Sequence, residues 1–181
     1  MKTSSVVRSQ VLALTLLMIA SFAHAQATDP APEGLPPVAQ KIGLSGPRFG
    51  ATFLSPGIVE HLARENDIHV GSLVTQFGWQ FEKRLYSGQE SLTAVTEWVL
   101  LVGGVEQGVF LPSVNWLVGV RTKAGTEFGI GPNLSPAGSA LVIAVGRTFR
   151  AGALNFPLNV AFVPSKSGLR VSVLCGFNTR R

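Results

Sequence analysis

Little of this chain is charged, and less of it is reactive: Asp, Glu, Lys and Arg together make up 14% of 181 residues, with one cysteine and three histidines. A lone Cys175 excludes an internal disulfide. Long apolar runs are missing as well. The longest, VLALTLLMIA at 11–20, falls short of the roughly twenty residues a bilayer-spanning helix needs, and no transmembrane helix is predicted. Basic residues are nowhere massed except at Arg180-Arg181, which excludes a nucleic-acid footprint. No self-similarity recurs at a period of roughly 20–50 residues, so the chain is not a solenoid or array.

What is present begins with a leader. Lys2 and Arg8 precede the apolar run, and Ala23-His24-Ala25 supplies a small-residue cleavage site, so 1–25 reads as a secretory signal peptide. No cysteine follows that site directly, which argues against a lipoprotein. Losing Lys2 and Arg8 leaves 13 basic and 10 acidic residues, a mature charge of +3. Residues 26–45, with Pro30, Pro32, Pro36 and Pro37, form a proline-rich, mobile lead. The rest, 46–181, is long enough for one domain.

The informative stretch is GSLVTQFGWQFEKR, 71–84. Leu73, Thr75, Phe77, Trp79 and Phe81 occupy one parity; Gln76, Gly78, Gln80, Glu82 and Arg84 occupy the other. A period of two between unlike faces is a strand separating two unlike environments. It is long against the usual five or six residues of a soluble strand. Seven further strands are predicted over 48–54, 92–105, 113–122, 126–133, 139–149, 154–162 and 169–177. Ser55-Pro56 opens one short helix between the first two strands, running to about Arg64. Eight strands joined by hairpins predict an all-β fold, an up-and-down antiparallel barrel.

Turn chemistry sets the registers. A two-residue Gly88-Gln89 turn places Gln80 opposite Glu97 and Trp79 opposite Trp98. A three-residue Lys123-Ala124-Gly125 loop pairs Arg121 with Glu127 and Asn115 with Asn133, whereas a two-residue turn there spoils the phase. Turns at Ala151-Gly152 and Lys166-Ser167-Gly168 follow, and Pro157 predicts a local irregularity in its ladder.

The sign of the alternation carries the argument. One face of most strands is almost wholly apolar; the other mixes Gly, Ala, Asn, Gln and opposed charges. An eight-stranded lumen holds little more than side chains, so the Phe and Trp set overfills it if turned inward. Turned outward, each apolar group gains roughly 1.5–3 kcal/mol from an apolar surrounding. The predicted inward polar network is then Gln76, Gln80, Glu82, Arg84, Glu97, Asn115, Arg121, Glu127, Asn133, Asn155, Asn159 and Arg170. Trp79, Trp98 and Trp116 each lie about eight residues from their turns. At roughly 2.3 Å of rise per tilted residue they share a level near 19 Å, an outward aromatic belt. The alternative is a chance alignment of three large residues.

With its leader, its alternation and a final strand GLRVSVLCGF ending in an aromatic, the chain resembles small eight-stranded bacterial outer-membrane β-barrel proteins over 48–177. That resemblance implies the outer membrane of a Gram-negative bacterium (the periplasm being the alternative). Its implied partners are outer-membrane lipid and the barrel-assembly machinery, and its implied role is structural or surface contact through 55–69. A narrow pore past Ala140, Ala144 and Gly146, or a lipid- or small-ligand-binding barrel, is a second reading; an envelope lipid-modifying enzyme is a third. No catalytic residue, metal or cofactor is expected. His61, Glu65 and His69 belong to the insertion and do not supply three converging ligands. Glu82, Glu97 and Glu127 could serve as acid–base carboxylates, but Arg84 and Arg121 beside them favour an ion-pair network. Gly-Ile-Gly at 129–131 lacks the following helix of a phosphate loop.

Overall fold

A computed structural model of the protein describes residues 43–87 and 92–179. The leader, most of the lead, the turn after Ser87 and Arg180-Arg181 lie outside the described residues. The described chain is a closed antiparallel barrel of eight strands: β1 (Gly46–Leu54), β2 (Leu73–Ser87), β3 (Leu92–Gly103), β4 (Leu111–Thr122), β5 (Thr126–Ser135), β6 (Gly138–Ala151), β7 (Leu154–Ser165) and β8 (Gly168–Gly176). Consecutive strands pair, β1 also pairs β8, and no strand has a free edge. Beyond Gly176, Asn178–Thr179 resumes the pairing with β7 in the same register. The ladder lapses over Phe156 and Pro157, as a residue without an N–H requires.

The helix, α1 (Pro56–Asn66), follows β1 directly. Ser55 is extended and Pro56 sits in the first turn, yet the serine side chain does not cap the helix. Its Oγ accepts from the Leu169 N–H at 3.0 Å instead, tying the helix start to β8. Ile58 and Leu62, one turn apart, are buried against Leu54, Val74, Leu111 and Ala137. An i, i+4 apolar pair thus seats α1 across the end of the barrel opposite Gly46 and Asn178. Asp67 turns left-handed (φ 55°) and ends the helix.

The Lys123-Ala124-Gly125 loop has Gly125 at φ 86°, and it sets Arg121 opposite Glu127 and Asn115 opposite Asn133. The first hairpin register differs from the expected one. Gln80 faces Val99, Trp79 faces Leu100, Phe81 faces Trp98, and Glu82 faces Glu97. A bulge at Leu85, between the Arg84–Val95 and Tyr86–Ala94 pairs, adds a residue to β2, and the connection is longer than two residues. The net slip is two positions, so the β2 side chains on the far side of the bulge from this turn, Leu73 to Arg84, keep their faces. Two later turns also shift: Gly152-Ala153 and Lys166-Ser167 are the residues between paired ends.

Outside, the barrel wears an apolar girdle. Phe77, Trp79, Phe128, Ile130, Val145, Phe156 and Val173 are each about half exposed, with many like them. Trp98 stacks on Trp116 with ring centroids 5.8 Å apart, while Trp79 leans on Phe81, the β2 residue opposite Trp98.

Candidate functional site: the barrel lumen

Inward side chains divide the lumen into layers. Toward the end away from α1 lies a charged layer built on Arg121 of β4. Its Nε donates to Glu127 Oε2 at 2.8 Å, Nη1 and Nη2 donate to the two oxygens of Glu82 at 2.7 and 2.5 Å, and Nη2 reaches Glu97 Oε1 at 3.2 Å. Glu82 and Glu97 are direct cross-strand partners. Like charges so placed repel, and the guanidinium held between them offsets that repulsion. Asn159 donates to Glu127 Oε1 at 2.7 Å, and Arg84 stands 4.0 Å from Glu82 near the rim.

Glycines make the room. A Cβ at Gly146 would meet Asn159 Nδ2 at 2.7 Å and Glu127 Oε1 at 2.9 Å. These two side chains occupy the space beside Gly146, Ala144 belongs to an apolar cluster and Ala140 packs against it. Gly176 leaves room in the same way for the guanidinium of Arg48.

Arg48 is 1% exposed. It donates to Gln80 Oε1 at 2.9 Å, Pro47 O at 2.9 Å and Leu44 O at 2.6 Å. Leu44 is fully buried and its N–H points to Glu82 Oε2 at 3.3 Å, while Asn178 donates to Gly43 O at 2.9 Å. The two ends of the described chain thus close this end of the lumen together. Asn155 is also wholly buried here, and neither atom of its amide has a protein partner.

Two smaller polar groups cross the middle. Thr52 donates to Gln76 Oε1 at 2.6 Å and lies 2.6 Å from Ser172 Oγ. Asn133 donates to Asn115 Oδ1 at 2.7 Å and Ser113 Oγ at 2.9 Å, and its own oxygen accepts from Arg170 at 2.8 Å.

Between and above these groups the lumen is apolar, which corrects the expectation of a polar, side-chain-filled interior. Val99, Leu101, Leu117, Val142, Val163 and Leu174 form one cluster, and the residues under α1 form another. The physical reason is α1: once a helix closes that end, inward residues beneath it meet apolar groups rather than water. The filling is also incomplete, leaving a cavity of ≈ 80 Å³ from α1 down to Glu97 and Gln80.

Of the residues singled out from sequence, all twelve of the polar set sit on the inner face, drawn into the contacts described, apart from Asn155. The predicted polar network omits Arg48, Thr52, Ser113 and Ser172, although each carries inward parity. Leu44 and Asn178 lie in irregular backbone, where parity carries no signal. His61 is on α1, and His69 is exposed with Nδ1 4.0 Å from the equally exposed Asp67. Among the described residues no three His, Cys, Asp or Glu side chains gather as a metal site would require, and no helix is long and apolar enough to cross a membrane.

Comparison of the chain with protein-family models, curated proteins and solved structures gives no match.

Proposed function

We propose that the protein is a bilayer-spanning barrel of a Gram-negative outer membrane, closed at both ends and serving envelope structure or surface contact. The observation that carries this reading is the inverted polarity of the wall. Among the described strand residues that face outward, only Lys83 and Arg147 are charged, while Arg48, Arg121, Glu97, Glu127 and Arg170 are buried inside. Arg147 lies 5.9 Å from the centre of the Phe149 ring, four residues from its turn. A soluble barrel would leave this girdle in water and forfeit roughly 1.5–3 kcal/mol per large side chain. Acyl chains cover it instead, and closure leaves no backbone edge to satisfy in lipid. The α1 end, with Glu60, Arg64 and Glu65 exposed on the helix, is then the surface-contact end, and assembly machinery and lipid are the partners.

Fractionation of the native host tests this. The mature chain is expected in the outer-membrane fraction as a band whose gel mobility changes on boiling. Recovery of the folded protein wholly in the soluble periplasmic fraction would overturn it.

A further inference from the structure

Arg170 sits on β8 between Leu54 and Val163 in the two flanking ladders. Its side chain crosses the lumen to β5, where Ser135 Oγ accepts from Nη1 at 2.5 Å and Asn133 Oδ1 from Nη2 at 2.8 Å. A guanidinium presents five N–H donors. Here Nε is buried with no partner, and the residue is 6% exposed. Among the described residues no carboxylate forms an ion pair with Arg170, unlike Arg121, which holds three. A buried cation without a counter-charge costs several kcal/mol unless something supplies one. Arg170 also lines the ≈ 80 Å³ cavity, with Val142, Val163, Leu174 and, from α1, Ile58 and Leu62 among its apolar walls and Asn133, Ser172 and Glu97 among its polar ones.

We propose that this half of the lumen is a binding site for a small carboxylate with an apolar body, its charge seated on Arg170 and its hydrocarbon in the cavity. Two features point to one chemistry: the arginine lacks a carboxylate partner, and the cavity wall toward α1 is apolar, whereas polar residues that also line it, such as Thr52, Gln76, Asn133 and Glu97, already bond other protein groups. Size narrows it further. A dry cavity of about 150 Å³ takes benzene. The present space therefore suits a tail of a few carbons, and longer chains require α1 to lift. The inference rests on the lumen alone and not on the compartment.

The test uses the full mature chain folded in lipid nanodiscs and titrated calorimetrically with acetate, butyrate, octanoate, n-butanol and inorganic phosphate. Butyrate is expected to bind saturably and more tightly than acetate, than octanoate, and than phosphate, which has charge without a body; butanol, a body without charge, is expected not to bind. Arg170→Met should weaken butyrate about ten- to hundredfold, the loss of a charged hydrogen bond. Arg170→Lys should restore part of it. Ala161→Leu, which fills the cavity and leaves Arg170 in place, should lower butyrate affinity while leaving phosphate unchanged. A β-sheet circular dichroism spectrum with a cooperative thermal transition, recorded in nanodiscs and in buffer, confirms that each variant is folded whichever environment it needs. No saturable butyrate binding, butanol binding as tightly, or unchanged affinity in folded R170M would each overturn the proposal and leave a merely hydrated lumen.

Discussion

At the scale of single residues the lumen depends on Arg121. It links carboxylates from β2, β3 and β5 to β4, and two of those carboxylates oppose each other directly. Arg121→Met leaves three buried acids without their shared cation and should cost about 3–5 kcal/mol in urea unfolding. Arg121→Lys should recover only a fraction, because a point charge cannot engage Glu82 through two parallel bonds. These residues were legible in the sequence because charge on the inward parity of a strand is conspicuous. The geometry was less so. Glu127 and Arg121 could be paired from a loop length, whereas the convergence of Glu82 and Glu97 depends on a bulge that periodicity does not reveal. Arg48 shows the complementary failure. It had the right parity, but two of its three partners are main-chain carbonyls, one in the lead and one in the adjacent residue, which no side-chain pattern records.

At the scale of elements, α1 decides what the lumen is. Leu62, on the buried face of the helix, is 2% exposed, and Leu62→Ala should cost about 2–5 kcal/mol and speed hydrogen exchange across 56–66 more than in the strands. The neighbouring β3–β4 connection is fastened differently. Thr75 donates its hydroxyl and its N–H to the Glu106 carboxylate, and this holds Glu106 down to about 2 from its ordinary 4.5. A depressed carboxylate stabilises the fold fully above its unfolded value and progressively less as pH falls through the folded one. Exchange protection at the Thr75 N–H should therefore hold at pH 5 and fall toward pH 2; Glu106→Gln should weaken it at pH 5 already. Strand existence and facing were legible from period two. Register was legible only where turn chemistry left one option, as at Gly125, since alternation fixes register to within two residues. The apolar half of the lumen was hidden for a related reason. On β3 both faces are apolar near Val99 to Val102, and only the position of α1 assigns a meaning to that run.

At the scale of the whole molecule, an outer wall that faces lipid, as proposed, is a surface with depth. Ile130 lies in the middle of β5 and Leu154 beside a turn of β7. Ile130→Arg should destabilise the protein in vesicles by about 2–4 kcal/mol, and Leu154→Arg by about 1 kcal/mol or less. An outer wall facing water would tolerate both, within about 0.5 kcal/mol. The three tryptophans of the chain, Trp79, Trp98 and Trp116, all belong to the outer girdle and report on it without any substitution. Their fluorescence should be quenched strongly by lipids brominated along the acyl chain and little by iodide in the buffer. Free quenching by iodide, with brominated lipid leaving the emission unchanged, would contradict an apolar face turned toward lipid.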